Sequence, residues 1–85
     1  MTPAEALADV RGYATANRIR VDAHALQRMR ERGVAFLDLR HALTNATRCT
    51  PGERDRWRVE GPDLGGDDLT AIVVLEDGVA VVTVF

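Results

Sequence analysis

Apolar positions change their period along the chain, and each change marks a new element. In TPAEALADVRGYATAN, Ala4, Leu7, Val10 and Ala14 recur at helical spacing, with Arg11 beside Val10 on the same stripe. Thr2 is placed to act as the N-cap, Pro3 to occupy the first helical position and Glu5 to complete a capping box. Gly12 loosens the middle of this first helix, and Asn17 ends it. RIRV then alternates, Ile19 and Val21 against Arg18 and Arg20, as a short edge strand does. Asp22 is positioned to cap a second helix, in which Leu26 and Met29 face inward, His24, Arg28 and Glu31 lie opposite, and Gly33 supplies the stop. Phe36, Leu39, Leu43 and Ala46 restore the helical period in a third helix, with Asp38 favourable to the macrodipole in its first turn.

Beyond Thr47 the period shortens to two. Trp57 and Val59 alternate with Arg56, Arg58 and Glu60, GPDLGGDD reads as a loop, and LTAIVVLEDGVAVVTVF reads as two apolar strands. Asp77-Gly78 is the dipeptide favoured by a two-residue type I′ hairpin turn. Val79, Val81 and Phe85 fall on one face of the last strand and Ala80, Val82 and Val84 on the other, so that strand is expected in the middle of a sheet. The sum is an α+β chain: N-terminal helix, short strand, two helices, then an antiparallel meander of three or four strands with the helices on one sheet face.

Length and composition narrow this without changing it. Eighty-five residues suit one domain, 1–85, that folds with little stability to spare. The single Cys49 allows neither an internal disulfide nor a cysteine metal cluster, and no stretch has the character of a signal peptide or membrane span, so the cytoplasm is the expected location. Charge alters the picture more. The formal net charge is −2, yet residues 18–58 hold ten arginines against five acids, and everything from Val59 to Phe85 is free of basic residues. Either the halves pair with each other, or a basic face meets a polyanion or acidic partner. Arg54, Arg56 and Arg58 share one strand face by alternation, about 7 Å between neighbours, a spacing that fits successive phosphates as well as the acids of the last segment. Trp57 points the other way, into the core.

Two segments carry a resemblance. HALQRMRERG, residues 24–33, after a short strand and before a second helix, resembles the H-A-x-x-R-M-x-E-R-G signature of an uncharacterised bacterial domain family. VEGPDLGG, residues 59–66, leading into two valine-rich strands, resembles the V-x-G-x-D-x-x-G loop at that family's end. The family in turn resembles the RelE and MqsR superfamily of toxin endoribonucleases encoded beside an antitoxin. The resemblance implies a RelE-like sheet with helices on one face, a toxin-like core over 18–85 with residues 1–17 as an added helix, an antitoxin partner and RNA as substrate. It also marks Thr83 as a supporting position. Asp22 and Ala35 depart from the pattern, which has hydroxyl residues there, and the net acidity disfavours a ribosome-binding role.

Cleavage of RNA without a metal or other cofactor needs a base for the 2′-hydroxyl and cationic donors for the charge growing on phosphorus. His24 in the first turn of the second helix, Arg28 one turn on and Arg32 on its flank meet that need, with Glu31 in support. The alternative is a scaffold: His24 locking the helix to the sheet, Arg28 and Glu31 forming an ordinary surface pair, and the chain serving as a non-catalytic interaction or dimerisation module. His41 reads as a surface histidine, Cys49 as a small buried residue, and Asp63, Asp67 and Asp68 as turn residues whose spacing lacks the pattern of an EF-hand.

Overall fold

The computed structural model describes residues 1–85, as three helices and five strands. Helix α1 spans Pro3–Thr15. Thr2 and Glu5 form the expected capping box: the Glu5 amide donates to Thr2 Oγ1 at 3.1 Å and the Thr2 amide to Glu5 Oε1 at 2.8 Å. Its buried stripe is Ala6, Val10 and Ala14, with Leu7 and Tyr13 packed alongside. Ala4 is exposed and Ala6 buried in its place, while Val10 and Ala14 lie inside as the spacing suggested. Asn17 reverses the chain with φ 59°, a left-handed conformation that asparagine tolerates better than most residues.

Strand β1, Ile19–Val21, leads into α2, Ala23–Arg32, where Asp22 Oδ1 accepts from the Ala25 amide at 2.8 Å and Gly33 terminates the helix at φ 67°. Ala25 and Met29 bury against β5 and its surroundings, whereas Leu26, expected inside, is 41% exposed. Helix α3 spans Phe36–Thr44 and buries Leu39, Ala42 and Leu43, with Ala46 buried just past its end. Phe36 is also 41% exposed, since it stands at the first helical position, outside the part of α3 that meets the sheet. Ala35 has no oxygen with which to cap α3, so only half of a capping box forms: the Ala35 amide donates to Asp38 Oδ2 at 3.1 Å.

Strands β2 (Arg48–Pro51), β3 (Arg56–Pro62), β4 (Asp68–Leu75) and β5 (Val79–Val84) follow as an antiparallel meander, in the sheet order β1-β5-β4-β3-β2. β1 lies at one edge, as expected, and pairs in parallel with β5, matching Ile19 to Val79 and Val21 to Val81. That makes β5 an interior strand, with apolar residues on both faces. The β4–β5 connection uses residues 76–78, three rather than two, with Asp77 and Gly78 at φ 54° and 138°. A bulge follows opposite Ile72 and Val73: Val73 faces Val81 and Ile72 faces Thr83, so Val82 is extra. The bulge reverses the alternation and turns Val84, rather than Phe85, into the core.

One sheet face is covered. Val59 and Gly61 of β3, Leu69, Ala71 and Val73 of β4, and Val79, Val81 and Val84 of β5 are buried beneath the helices, while the residues alternating with them are not. Gly61 is obligatory there, because a Cβ would run into the carbonyl oxygen of Ala42 in α3. The core consists of apolar residues alone; no polar or charged residue is fully buried. No helix is long and apolar enough to cross a membrane.

Candidate functional site

The residues of the HALQRMRERG segment are presented by α2, whose Ala25 and Met29 bind it to the sheet and turn its remaining faces outward. His24 is exposed in the first turn, with neither ring nitrogen in a hydrogen bond or ion pair. Arg28, four residues on, is half-buried and has a loose contact with Glu31, Nη1 to Oε1 at 3.8 Å. Arg32 continues the stripe, exposed and without a carboxylate partner. The structure therefore groups His24, Arg28, Glu31 and Arg32 along one side of a helix.

The other expected members lie elsewhere. Thr83 pairs with Ile72, on the face of the sheet away from the helices, so the sheet itself separates it from α2. Arg54, Arg56 and Arg58 do not share one strand face: Arg54 precedes β3 in a turn at φ 58°, and only Arg56 and Arg58 alternate along the strand. Proximity to Pro51-Gly52 explains this, because the Gly52 amide donates to the Arg56 carbonyl at 2.8 Å and closes residues 53–55 into a tight connection. Arg56 and Arg58 project from the uncovered sheet face, opposite the side on which α2 packs.

The charge asymmetry is paired within the molecule in part. Arg18 pairs with Asp77 at 2.6 Å, Arg20 with Glu76 at 3.8 Å and Arg48 with Glu60 at 3.8 Å, so the halves do engage each other, chiefly through the edge strands. Arg11 donates to the Ala46 carbonyl, Nε at 2.8 Å, and Arg40 donates to the carbonyls of Ala14 and Thr15, satisfying the end of α1. Five arginines have no such employment: Arg30 and Arg32 on α2, and Arg54, Arg56 and Arg58 on or beside β3, have no carboxylate within 4.0 Å and donate no hydrogen bond.

A cleft of about 200 Å³ opens at α3 rather than α2, lined by Leu37, Arg40, His41, Thr44, Asn45 and Leu64. His41, read from sequence as an ordinary surface histidine, sits here with Nδ1 2.9 Å from the Pro62 carbonyl. A carbonyl only accepts, so Nδ1 carries a proton. The loop beyond is fixed: the Leu64 amide donates to Asp38 Oδ1 at 3.1 Å, and Asp63 Oδ1 accepts from the Gly65 and Asp67 amides at 2.8 and 2.9 Å. Asp63 is thus a turn residue, as its setting among glycines suggested. Thr44 Oγ1 is buried behind the cleft without a partner. Nothing local in the sequence could have placed this cleft, which needs residues 62–64 to return to α3.

No group of three or more His, Cys, Asp or Glu side chains is arranged to hold a metal ion. Cys49 is buried, and that burial pushes its thiol pKa up, away from the reactive thiolate.

The fold and surface together define a three-helix, five-strand α+β layer protein with an arginine-bearing open sheet face. The chain matches no described protein family, no curated protein and no solved structure.

Proposed function

We propose that the chain is a small toxin-like module of a bacterial two-protein pair, acting in the cytoplasm by binding an acidic partner through the arginines of its open sheet face. One observation carries this reading. In a molecule whose other arginines mostly anchor the fold, Arg54, Arg56 and Arg58 gather at one end of β3 with no carboxylate within 4.0 Å. Like charges held together without a carboxylate in direct contact favour an anionic partner. The resemblance of residues 24–33 and 59–66 to toxin-type domains supports the pairing with a second protein, of antitoxin type. Association of two copies through an exposed strand edge fits the same module. Retention on an immobilised polyanion tests the reading: replacing Arg54, Arg56 and Arg58 with alanine should lower the salt needed for elution markedly, and replacing Arg30 and Arg32 should lower it less. Unchanged elution of the triple variant overturns it.

A second reading, metal-independent RNA cleavage on α2, is favoured by His24, exposed and unpartnered one helical turn from Arg28. His24, at the positive end of the helix, would take the 2′-hydroxyl proton, Arg28 and, a further turn along, Arg32 would meet the phosphate, and the 5′-oxygen would depart with a proton from water as the 2′,3′-cyclic phosphate forms. Labelled RNA incubated in EDTA decides it. Cleavage that falls on the order of 100-fold in His24→Ala and Arg28→Ala supports the reading. No cleavage, or cleavage undiminished in both variants, removes it.

A further inference from the structure

The face of the sheet that the helices leave open has an order that charge alone does not explain. Across it, Arg56 stands beside Val74, Val74 beside Ala80 and Ala80 beside Arg20. In the next row Arg58 stands beside Ile72 and Ile72 beside Thr83, with the extra residue Val82 adjoining. Phe85 continues this face, with the Arg58 guanidinium 6.0 Å from its ring centroid, and is 47% exposed. An aliphatic ribbon therefore runs along β4 and β5, between an arginine rail on β3, Arg56 and Arg58, and a second formed by Arg20 alone on the β1 edge.

We infer that this ribbon docks an acidic amphipathic helix of a partner protein, its apolar stripe on Ile72, Val74, Ala80 and Val82 and its flanking carboxylates on Arg56 and Arg58 to one side and Arg20 to the other. The inference rests on the binding-module reading and specifies its partner. Dimensions support it. Three inter-strand steps of about 4.8 Å set the two rails roughly 14 Å apart, and an α-helix with its side chains is about 10–12 Å across. A single added strand would reach only one rail. Charge supports it too: Arg56 and Arg58 have no carboxylate of their own, and Arg20 has only a 3.8 Å contact with Glu76 in which both side chains are mostly exposed, a pair that a better-placed carboxylate displaces. RNA fits this face less well. Of its side chains only Phe85, at one end of the ribbon, offers bases a stacking surface.

The test uses a helical peptide with leucines on one face and glutamates on both flanks, a control with serines in place of leucines, and oligouridylate, each added to isotope-labelled full chain. The leucine peptide should shift the amides of β3, β4 and β5, leaving α2 unmoved. Its affinity should fall more than tenfold with Arg56→Glu and Arg58→Glu combined, and more than tenfold with Val74→Ser. Both sites are on the surface, and a thermal melt confirms that each variant is folded. Equal binding of the serine peptide, shifts on α2 instead, or self-association through this face that Val74→Ser abolishes would each overturn the inference. Oligouridylate binding in an arginine-dependent way where the peptide does not would overturn the helix partner and leave the module reading standing. Failure of peptide and polyanion alike to depend on these arginines would remove both.

Discussion

The two faces of the sheet are made from the same strands yet obey different rules. The inner face is built of Ala, Val, Leu and Gly, with Cys49 and Trp57 toward the β2 edge, and Val73, Val79, Val81 and Val84 there are each at most 1% exposed. The outer face mixes Ile72, Val74 and Ala80 with Thr70, Arg56 and Arg58, and its apolar members are only partly covered. Alternation along one strand thus separates residues that hold the fold together from residues free to meet something else. Packing complementarity governs the first set. The second is not bound by it, being in part open to solvent.

Substitutions that treat the two faces alike should therefore give unlike results. The largest effect is expected at Gly61, where a methyl group meets the Ala42 carbonyl: Gly61→Ala should force α3 away from β3 and cost about 3 kcal/mol, seen as a fall in Tm by calorimetry. A Gly61→Ala protein as stable as the parent would mean that α3 is not seated on β3 as described. Next come two neighbours on one strand. Val73→Ala should lose about 2 kcal/mol, removing buried methyls and leaving a cavity, whereas Val74→Ala should lose less than about 0.5 kcal/mol. Equal losses in denaturant titrations would erase the contrast between faces. Asp22→Ala, which removes the cap of α2, should cost about 1 kcal/mol, with faster hydrogen exchange at Ala25 as its local signature.

The smallest effect concerns acid. Hydrogen bonds from the Thr2 backbone and side chain hold the Glu5 carboxyl below its ordinary value of 4.5, with the nearby N-terminal charge contributing in the same direction. A carboxyl whose pKa is lower in the folded state favours folding above its unfolded pKa, and that contribution disappears as pH falls through the folded pKa. The start of α1 should consequently fray below that point. A carboxyl-carbon NMR titration of Glu5 should show a midpoint under 4.5, and Thr2→Val should move it upward; an unchanged midpoint would mean the capping box does not act on the carboxyl.

What could be read from sequence was what short stretches decide. The Thr2 and Glu5 box, the Asp22 cap, the Gly33 stop and the interior place of β5 each follow from a few adjacent residues whose chemistry leaves little choice. The departures come where distant segments arbitrate. Leu26 and Phe36 suit helical stripes, but the sheet reaches Ala25, Met29 and Leu39 instead. Val84 displaces Phe85 from the core because a bulge at Val82 reverses the alternation, which periodicity cannot foresee. At the candidate sites, the grouping of His24, Arg28 and Arg32 was visible because one helix carries all three. The separation of Thr83, Arg56 and Arg58 from them was not, since it depends on which side of the sheet the helices take. Nor could composition reveal which arginines would find carboxylates, a matter of edge position for Arg18, Arg20 and Arg48.

The parallel pairing of Ile19 with Val79 has a bearing on how the molecule is made. On the ribosome β1 emerges early, yet its sole lateral neighbour is translated after every other strand, and α2 likewise waits for β5 as its principal bed. A nascent polypeptide stalled before Val79 has helices and a partial hairpin array but lacks the strand that joins β1 and α2 to the rest of the sheet, so it should remain open to protease, and closure should come as a late, cooperative event.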